Sequence, residues 1–255
     1  MNCHAKVDVC IVAGRRPDLL ATTLESFGAL LFPRFQIEHF IVNIDPIFGG
    51  ESEERACVDL INRYACAKVV INTPAEPHFT RAVIRNWSTS KADLVLHLED
   101  DWLLRAAISP ERIFPLFEPS NVAQVSFNTA EKNWDISARG NVHTKKRPVT
   151  LLGLKTPFKR RVPVFTTSPS FLRGDFARRC ADLMDERFDP EKQFSSDVNP
   201  RLERFVSGYR NLLVGGGPDY LIVDTGRCWR DSRGITKSIN NAVSTWEASR
   251  ANAPD

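Results

Sequence analysis

Short apolar runs alternate with amphipathic segments through the first hundred residues. The runs have the length of buried strands, and the segments between them repeat apolar residues at helical spacing, as Leu20, Leu24 and Phe27 do. Asp18, directly after Pro17, is expected to cap the first helix. The pattern predicts strands at 7–13, 37–44, 67–72 and 94–98, and helices at 18–31, 51–65 and from residue 79 onward. Strands that alternate with helices predict an α/β fold with a mostly parallel central sheet flanked by helices.

The apolar run at 94–98 ends in three consecutive acids, Glu99, Asp100 and Asp101. This is the pattern of a strand that is buried on both faces and stops where charge begins. Adjacent carboxylates repel one another and shift towards the neutral form unless a cation lies among them. Mg²⁺ and Mn²⁺ prefer oxygen ligands and share their remaining positions with water or substrate phosphates. The triplet therefore suggests a divalent metal site, with a solvated turn as the alternative.

Polar residues also follow the first two predicted strands. Gly14, Arg15 and Arg16 come after the strand at 7–13, and Asp45 comes after the strand at 37–44. Ligands of α/β proteins bind beyond the carboxyl ends of the strands. The turn at Gly14 lacks the glycine-rich fingerprint of a phosphate loop or a dinucleotide fold. The prediction of a site for a nucleoside diphosphate and its metal therefore rests on the convergence of three strand ends.

The second half of the sequence is less regular. It predicts strands at 123–127, 149–154, 165–172 and 220–223, and helices at 176–184 and 201–209. Residues 128–146 read as a polar loop that contains Trp134. Residues 226–237 are basic and punctuated by glycine, and we expect them to be mobile.

The composition is that of an ordinary soluble protein. Of 255 residues, 42% are hydrophobic and 25% are charged, and no apolar run reaches the length of about 18 residues that a membrane helix needs. The first residues lack the apolar core of a signal peptide, so a cytoplasmic location without a transmembrane segment is expected. The six cysteines show no Cys-x-x-Cys spacing and read as reduced structural thiols.

Positive charge is concentrated in one part of the sequence. The net charge is only +3, yet residues 139–179 contain eleven Lys or Arg against the single acid Asp175. Such a block attracts an anionic partner, which the sequence leaves open as lipid phosphate, acidic glycan or nucleic acid. A solvated face is the alternative for any one of these charges.

The first 105 residues resemble a GT-A type glycosyltransferase of the family-2 kind. Four stretches carry the resemblance: 9–13 with the turn and helix that follow, 41–45, 79–86 and 94–102. The resemblance implies that the acids form a D-x-D-like motif for the metal and the sugar-nucleotide diphosphate, with Glu99 at the first position, usually Asp, and Asp101 at the last. It also implies two parts packed as one GT-A domain, with nucleotide-sugar binding in 1–105 and acceptor binding in the less regular 106–255.

The resemblance assigns further roles residue by residue. Ala13, Gly14 and Arg15 would line the nucleotide, Asp45 would approach its base, and Asp100 would belong to the donor site. Arg81 would face the diphosphate or the donor sugar. The catalytic base would be Asp197, which is preferred, or Glu191. No His follows His143, so the histidine that completes the metal site in some members is missing, and Arg230 with other late basic residues would neutralise the leaving diphosphate.

These expectations combine into a metal-dependent, inverting glycosyltransferase that uses Mn²⁺ or Mg²⁺. The donor is expected to be a UDP- or GDP-sugar. The acceptor is expected to be anionic, such as a glycan, a lipid-linked saccharide or a modified base in DNA. A peripheral position at the inner membrane face is the alternative to a free cytoplasmic one. Two other classes stay open: a nucleotidyltransferase that acts on a sugar phosphate, and a nucleic-acid-binding module that uses the basic block.

Overall fold

The computed structural model describes residues 5–129, 142–151, 154–215, 220–240 and 242–248. Its strands are β1 (Val7–Ala13), β2 (Ile37–Ile44), β3 (Lys68–Asn72), β4 (Leu94–Glu99), β5 (Trp102–Leu104), β6 (Val122–Phe127), β7 (Thr144–Leu151), β8 (Leu154–Pro163), β9 (Ser170–Arg173), β10 (Arg210–Val214), β11 (Ile222–Asp224), β12 (Ile235–Asn240) and β13 (Val243–Ala248). Its α-helices are α1 (Pro17–Leu30), α2 (Glu51–Tyr64), α3 (Phe79–Thr89), α4 (Pro110–Ile113), α5 (Gly174–Leu183), α6 (Pro190–Gln193), α7 (Pro200–Val206) and α8 (Gly226–Asp231), with short 3₁₀ helices at Phe32–Arg34 and Phe114–Phe117.

A seven-stranded sheet in the order β10-β6-β9-β4-β1-β2-β3 forms the centre of the molecule. The strand pairs are parallel except those of β9, which runs antiparallel to both β4 and β6. The expected mostly parallel α/β fold is therefore confirmed. Because β1 lies between β2 and β4, the carboxyl ends of these three strands meet at one edge of the sheet.

The sheet is covered on both faces. Val7, Val9 and Ile11 of β1 pack into one apolar cluster, and Cys10 and Val12 pack into another, because successive side chains of a strand point to opposite faces. Helices α1 and α2 contribute to the first cluster, and α3 and α5 contribute to the second. This burial on both faces explains why the core strands read as nearly continuous apolar runs.

Two details of the predicted elements are wrong. Helix α1 begins at Pro17 and its N-cap residue is Arg16, so Asp18 lies in the first turn and does not cap the helix. The predicted strand at 165–172 is much shorter in the structure, where β9 comprises only Ser170–Arg173. The backbone of Thr166 bonds instead to the side chain of Gln124, as both donor and acceptor, so it is not free to join a strand ladder.

The later part of the chain is more regular than expected. Residues 226–237 contain helix α8 and the start of β12, which pairs with β13. The strand predicted at 149–154 spans the junction of β7 and β8, which pair as an antiparallel hairpin. Residues 144–146 of the predicted loop belong to β7, whereas Trp134 lies outside the described residues. None of the described helices combines the length and the apolar character needed to cross a membrane.

Candidate active site

A cavity of about 700 Å³ opens at the carboxyl ends of β1, β2 and β4. Its lining comes from both halves of the chain and is rich in charge. The charged lining residues are Arg16, Asp45, Glu99, Asp100, Asp101, Glu186, Arg187, Asp189, Glu191, Asp224, Arg227 and Arg230. The volume lies within the range of pockets that hold small ligands and cofactors.

Asp100 holds the turn after β1 in place. Its carboxylate is 1% exposed and accepts from the Gly14 backbone N–H at 2.9 Å and from Nε of Arg16 at 3.1 Å, with a second, shorter bond from Nη2 of Arg16. The Arg16 guanidinium also lies over the rings of Phe48, at 5.1 Å, and Trp229, at 5.3 Å. Although burial favours the neutral form, the two neighbouring aspartates raise the pKa of Arg16 above its ordinary value. Arg16 is thus a fixed positive charge inside the acidic cluster.

Asp101 belongs to the same buried cluster. Its Oδ2 is 3.2 Å from Nη2 of Arg16 and 3.7 Å from Nη1 of Arg230. Burial, together with repulsion from Asp100, raises the pKa of Asp101 to about 6 even with these two cations present. The electrostatic environment of Asp101 therefore favours a further positive charge.

Helix α8 packs directly against Asp101. A Cβ atom on Gly226 would lie 2.1 Å from Oδ2 of Asp101, so only glycine allows this approach. Thr225 donates to the Asp101 carbonyl through its backbone N–H at 2.9 Å and through Oγ1 at 2.8 Å. Trp229 completes the contact by donating from Nε1 to Oδ2 of Asp18 at 2.8 Å. The late segment is thus docked over the acidic end of β4.

Asp45 lies on the β2 side of the cavity. Its Oδ1 accepts from Nδ2 of Asn43 at 2.8 Å, and its Oδ2 accepts from the backbone N–H of His78 at 3.2 Å. Burial raises the pKa of Asp45 in spite of these bonds. The carboxylate is therefore oriented at the cavity wall by its neighbours.

Glu191 belongs to a different wall, formed by the second half of the chain. Its Oε1 accepts from the Thr167 backbone N–H at 2.9 Å and from Oγ1 of Thr166. Asp189 caps the short helix α6 by accepting from the backbone N–H groups of Glu191 and Lys192. One carboxylate oxygen of Glu191 is thereby fixed at the edge of the cavity.

The structure separates the predicted site residues into two groups. Ala13, Gly14, Asp45, Glu99, Asp100, Asp101, Glu191 and Arg230 line the cavity. Arg15, Arg81 and Asp197 are not among its lining residues. Arg15 pairs with Glu54, and Arg81 pairs with Glu186 at 3.0 Å. Asp197 has an 81% exposed side chain that pairs with Arg147.

Two of the residues that organise the site, Arg16 and Gly226, were given no role from the sequence. Arg16 was noticed only as part of a basic turn, although a cation next to the first strand end was a signal for a partner of the acids. Gly226 had no local signal, because its role depends on Asp101, which is distant in the sequence.

The donor set suits a metal that is shared with a ligand. Among the residues that the structure describes, no three His, Cys, Asp or Glu side chains form a group that could hold a metal ion. Mg²⁺ and Mn²⁺ do not require such a cage, because one or two carboxylates plus substrate phosphates complete their coordination. Asp101, with its raised pKa, and Glu99, on the same cavity wall, provide carboxylates of this kind.

The sequence matches no protein-family model and no curated protein. Solved structures with a similar fold do exist. The mannosyltransferase PcManGT from Pyrobaculum calidifontis, in complex with GDP-Man and Mn²⁺, aligns with a TM-score of 0.60 at 14% identity and covers 91% of this chain. S. aureus TarS 1-349, in complex with UDP, aligns with a TM-score of 0.52 at 12% identity over 86% of this chain. The chain spans 61% and 60% of the lengths of these two structures. It therefore has the GT-A-like glycosyltransferase fold that the motifs in residues 9–102 led us to expect.

Proposed function

We propose that the protein is a metal-dependent glycosyltransferase that moves a sugar from a nucleotide-sugar donor to an acceptor hydroxyl with inversion. The observation that carries the proposal is the arrangement of the cavity. The acidic end of β4, with Arg16 and Arg230 beside it, lies on one wall, and the fixed carboxylate of Glu191 lies on another.

The donor half of the proposal rests on charge and on the fold. Arg16, Arg227 and Arg230 line the cavity and supply positive charge for a diphosphate, while Gly14 and Asp45 line the side of β1 and β2 where a nucleoside would bind. Structures with this fold were solved with GDP-Man and Mn²⁺ and with UDP. A UDP- or GDP-sugar is therefore the proposed donor.

A divalent cation, Mn²⁺ or Mg²⁺, would be held by Asp101, with Glu99 as the second candidate ligand. When bound, it would supply positive charge that stabilises the diphosphate as the leaving group. Arg16 keeps Asp100 and Asp101 close together, and Gly226 keeps α8 against them. These residues preserve the geometry of the acidic cluster before a donor binds.

Glu191 is the proposed general base. The described residues donate no hydrogen bond to its Oε2, whereas Oε1 is fixed by Thr166 and Thr167. The base accepts the proton of the acceptor hydroxyl as that oxygen attacks the anomeric carbon. The bond from this carbon to the donor phosphate breaks on the opposite side, and its electron pair leaves with the diphosphate. A positioned base of this kind contributes about 10²–10⁴-fold to the rate. Asp197, the preferred candidate from the sequence, is not our choice, because its exposed side chain pairs with Arg147 and does not line the cavity.

Paired substitutions test these assignments. We expect Glu191→Gln to lower kcat for sugar transfer by at least about 100-fold while leaving UDP or GDP affinity unchanged, because the base acts on the acceptor. Asp197→Asn removes a carboxylate outside the cavity and serves as the matched control, with kcat within about twofold of wild type. The reverse result, with Asp197→Asn inactive and Glu191→Gln active, would contradict the assignment.

The metal is tested separately by thermal shift with UDP and GDP, with and without Mn²⁺. A ligand that binds only the native state raises its stability. We expect Mn²⁺ to increase the stabilisation by nucleotide in the wild type and to have no such effect in Asp101→Asn. An equal Mn²⁺ increment in both proteins would rule out Asp101 as the ligand.

A further inference from the structure

The hairpin of β7 and β8 carries a cluster of cations that the rest of the structure leaves unpaired. Lys146, Lys159, Arg160 and Arg161 are exposed, and none of them pairs with an acid in the part of the chain that the structure describes. Lys146 lies directly opposite Arg161, and Arg147 lies opposite Arg160. Like charges directly opposite across two strands destabilise a sheet. The Lys146–Arg161 pair therefore costs stability unless an anion from outside binds it.

The two faces of this hairpin differ. Directly opposite residues share a face and successive residues point to opposite faces, so Lys146, Lys159 and Arg161 lie together on one side, and Arg160 lies on the other side with Arg147. On the other side, Lys145 donates to Ser195 at 2.7 Å and Arg147 pairs with Glu203 at 3.1 Å and with Asp197. The second face thus anchors the hairpin to the body of the protein and leaves the first face turned outward.

The hairpin also changes character along its length. Its cations cluster near the body, and the sequence between Arg147 and Lys159 contains only one charged residue, Lys155. Phe158 is 74% exposed and, with Val142, is one of two large hydrophobic residues exposed among those described. The hairpin therefore combines an exposed cationic group near the body with an exposed aromatic side chain, Phe158, further along β8.

We infer that this hairpin docks the protein onto an anionic lipid bilayer. Apolar side chains that enter the boundary between headgroups and acyl chains, together with Lys and Arg at the level of the phosphates, are the two components of binding at a membrane interface. A ribbon that entered a nucleic-acid groove would instead need cationic and polar side chains at its far end, where phosphates and base edges are contacted. The exposed Phe158, the scarcity of charge between Arg147 and Lys159 in the sequence, and the exposed cations near the body favour the lipid surface.

The hairpin is connected to the cavity wall that contains Glu191. Strand β8 ends at Pro163, and the next residues of the chain include Thr166 and Thr167, which hold Glu191. The backbone N–H of Val164 donates to the carbonyl of His143 at 3.0 Å, which closes the base of the hairpin. Only a few residues of the chain therefore separate the hairpin, where the bilayer would bind, from the cavity wall that contains Glu191. Lipid docking does not depend on the proposed sugar transfer.

The inference is tested with the full chain and vesicles in a sedimentation assay. Wild type should bind vesicles that contain about 30% phosphatidylglycerol and should not bind pure phosphatidylcholine. Each basic residue near an anionic surface contributes about fivefold in affinity. We therefore expect the double reversal Lys146→Glu/Arg161→Glu to weaken binding at least about 25-fold. The matched control Arg63→Glu/Lys68→Glu changes the charge equally at the opposite edge of the sheet, near β3, and should bind within about twofold of wild type.

A second variant tests the apolar contact without changing the charge. Phe158→Ser should reduce binding to the same vesicles about fivefold or more while keeping the melting temperature, because the side chain is exposed in the free protein. The inference is overturned if both hairpin variants bind vesicles like wild type, or if neutral vesicles bind equally well. It is also overturned if duplex or single-stranded DNA binds wild type more tightly than the anionic vesicles and prevents vesicle binding.

Discussion

Arg16 neutralises and orients the buried carboxylates of the acidic cluster. It donates two hydrogen bonds to Asp100, which is almost completely buried, and a third to Asp101. Removing one partner of a buried pair leaves an uncompensated charge and typically costs about 3–5 kcal/mol. We expect Arg16→Gln to lower the free energy of unfolding by about 3 kcal/mol, measured by urea denaturation.

Arg15 provides the control for this effect. It is adjacent in sequence and pairs with Glu54, but both side chains of that pair retain solvent contact. Arg15→Gln should therefore change the free energy of unfolding by no more than about 1 kcal/mol. If Arg16→Gln and Arg15→Gln lowered the free energy of unfolding equally, the burial of Asp100 would not be the reason for the loss in Arg16→Gln.

His97 makes stability depend on pH. It lies in β4 without solvent exposure and its Nδ1 is 3.1 Å from Nε1 of Trp87, whose indole donates. Burial lowers the pKa of His97 to about 4, from an ordinary value of 6.5. The unfolded chain therefore takes up a proton before the folded one, and stability is lost as the pH falls from about 6.5 towards 4. The loss is at most about 1.4 kcal/mol per pH unit.

The measurement compares wild type with His97→Gln across that range. Carboxylates titrate in both proteins, so the difference between their unfolding free energies isolates the histidine. We expect the wild type to lose more stability than His97→Gln as the pH falls from 7 to about 4.5. The unfolding free energy of wild type minus that of the variant should therefore decrease over this range. A difference that stays constant with pH would show that His97 is protonated equally in the folded and unfolded states.

At the scale of elements, the sequence predicts best what local pattern determines. The bounds of β1 and β2 were predicted at the observed residues, because β1 is buried along its whole length and β2 is buried from Phe40 onward. Helix α8 was not predicted, because its six residues carry no apolar repeat and their position depends on Thr225, Gly226 and Trp229 contacting residues far away in the sequence. Glu191 was named from the sequence as the second candidate base, after Asp197, because the sequence did not show that Thr166 and Thr167 fix its side chain.

The docking of α8 can be tested at its closest contact. In Gly226→Ala the new methyl group would lie 2.1 Å from Oδ2 of Asp101 and would overlap it. The helix or the carboxylate must shift, at a cost of about 1–3 kcal/mol. We expect weaker nucleotide binding in the presence of Mn²⁺, measured by calorimetry, together with a lower melting temperature.

Gly208→Ala is the matched control, because a Cβ atom there would have no neighbour within 4 Å. Its nucleotide affinity and melting temperature should stay at the wild-type values or rise slightly, since alanine restricts the unfolded chain. Normal nucleotide binding by Gly226→Ala would show that the proposed donor site does not need the contact between α8 and Asp101.

At the scale of the whole molecule, the strand that carries the acids depends on both halves of the sequence. Strand β4 lies between β1, from the first half, and β9, from the second. The resemblance to glycosyltransferases in sequence was confined to about the first 105 residues, yet those residues leave one edge of β4 without its neighbour. The two halves therefore depend on each other physically even though their sequence patterns differ.

A fragment of residues 1–105 tests this dependence. Without β9, the edge of β4 would expose unpaired backbone groups, and Leu94, Leu96 and Leu98 would lose the packing of Phe171, which belongs to the same apolar cluster. We expect the fragment to lack cooperative thermal unfolding by circular dichroism and to aggregate, whereas the full chain unfolds in a sigmoidal transition. A cooperative transition in the fragment would instead show that residues 1–105 fold alone. In that case the burial of Asp100 and Asp101 would depend only on Arg16 and the turn after β1.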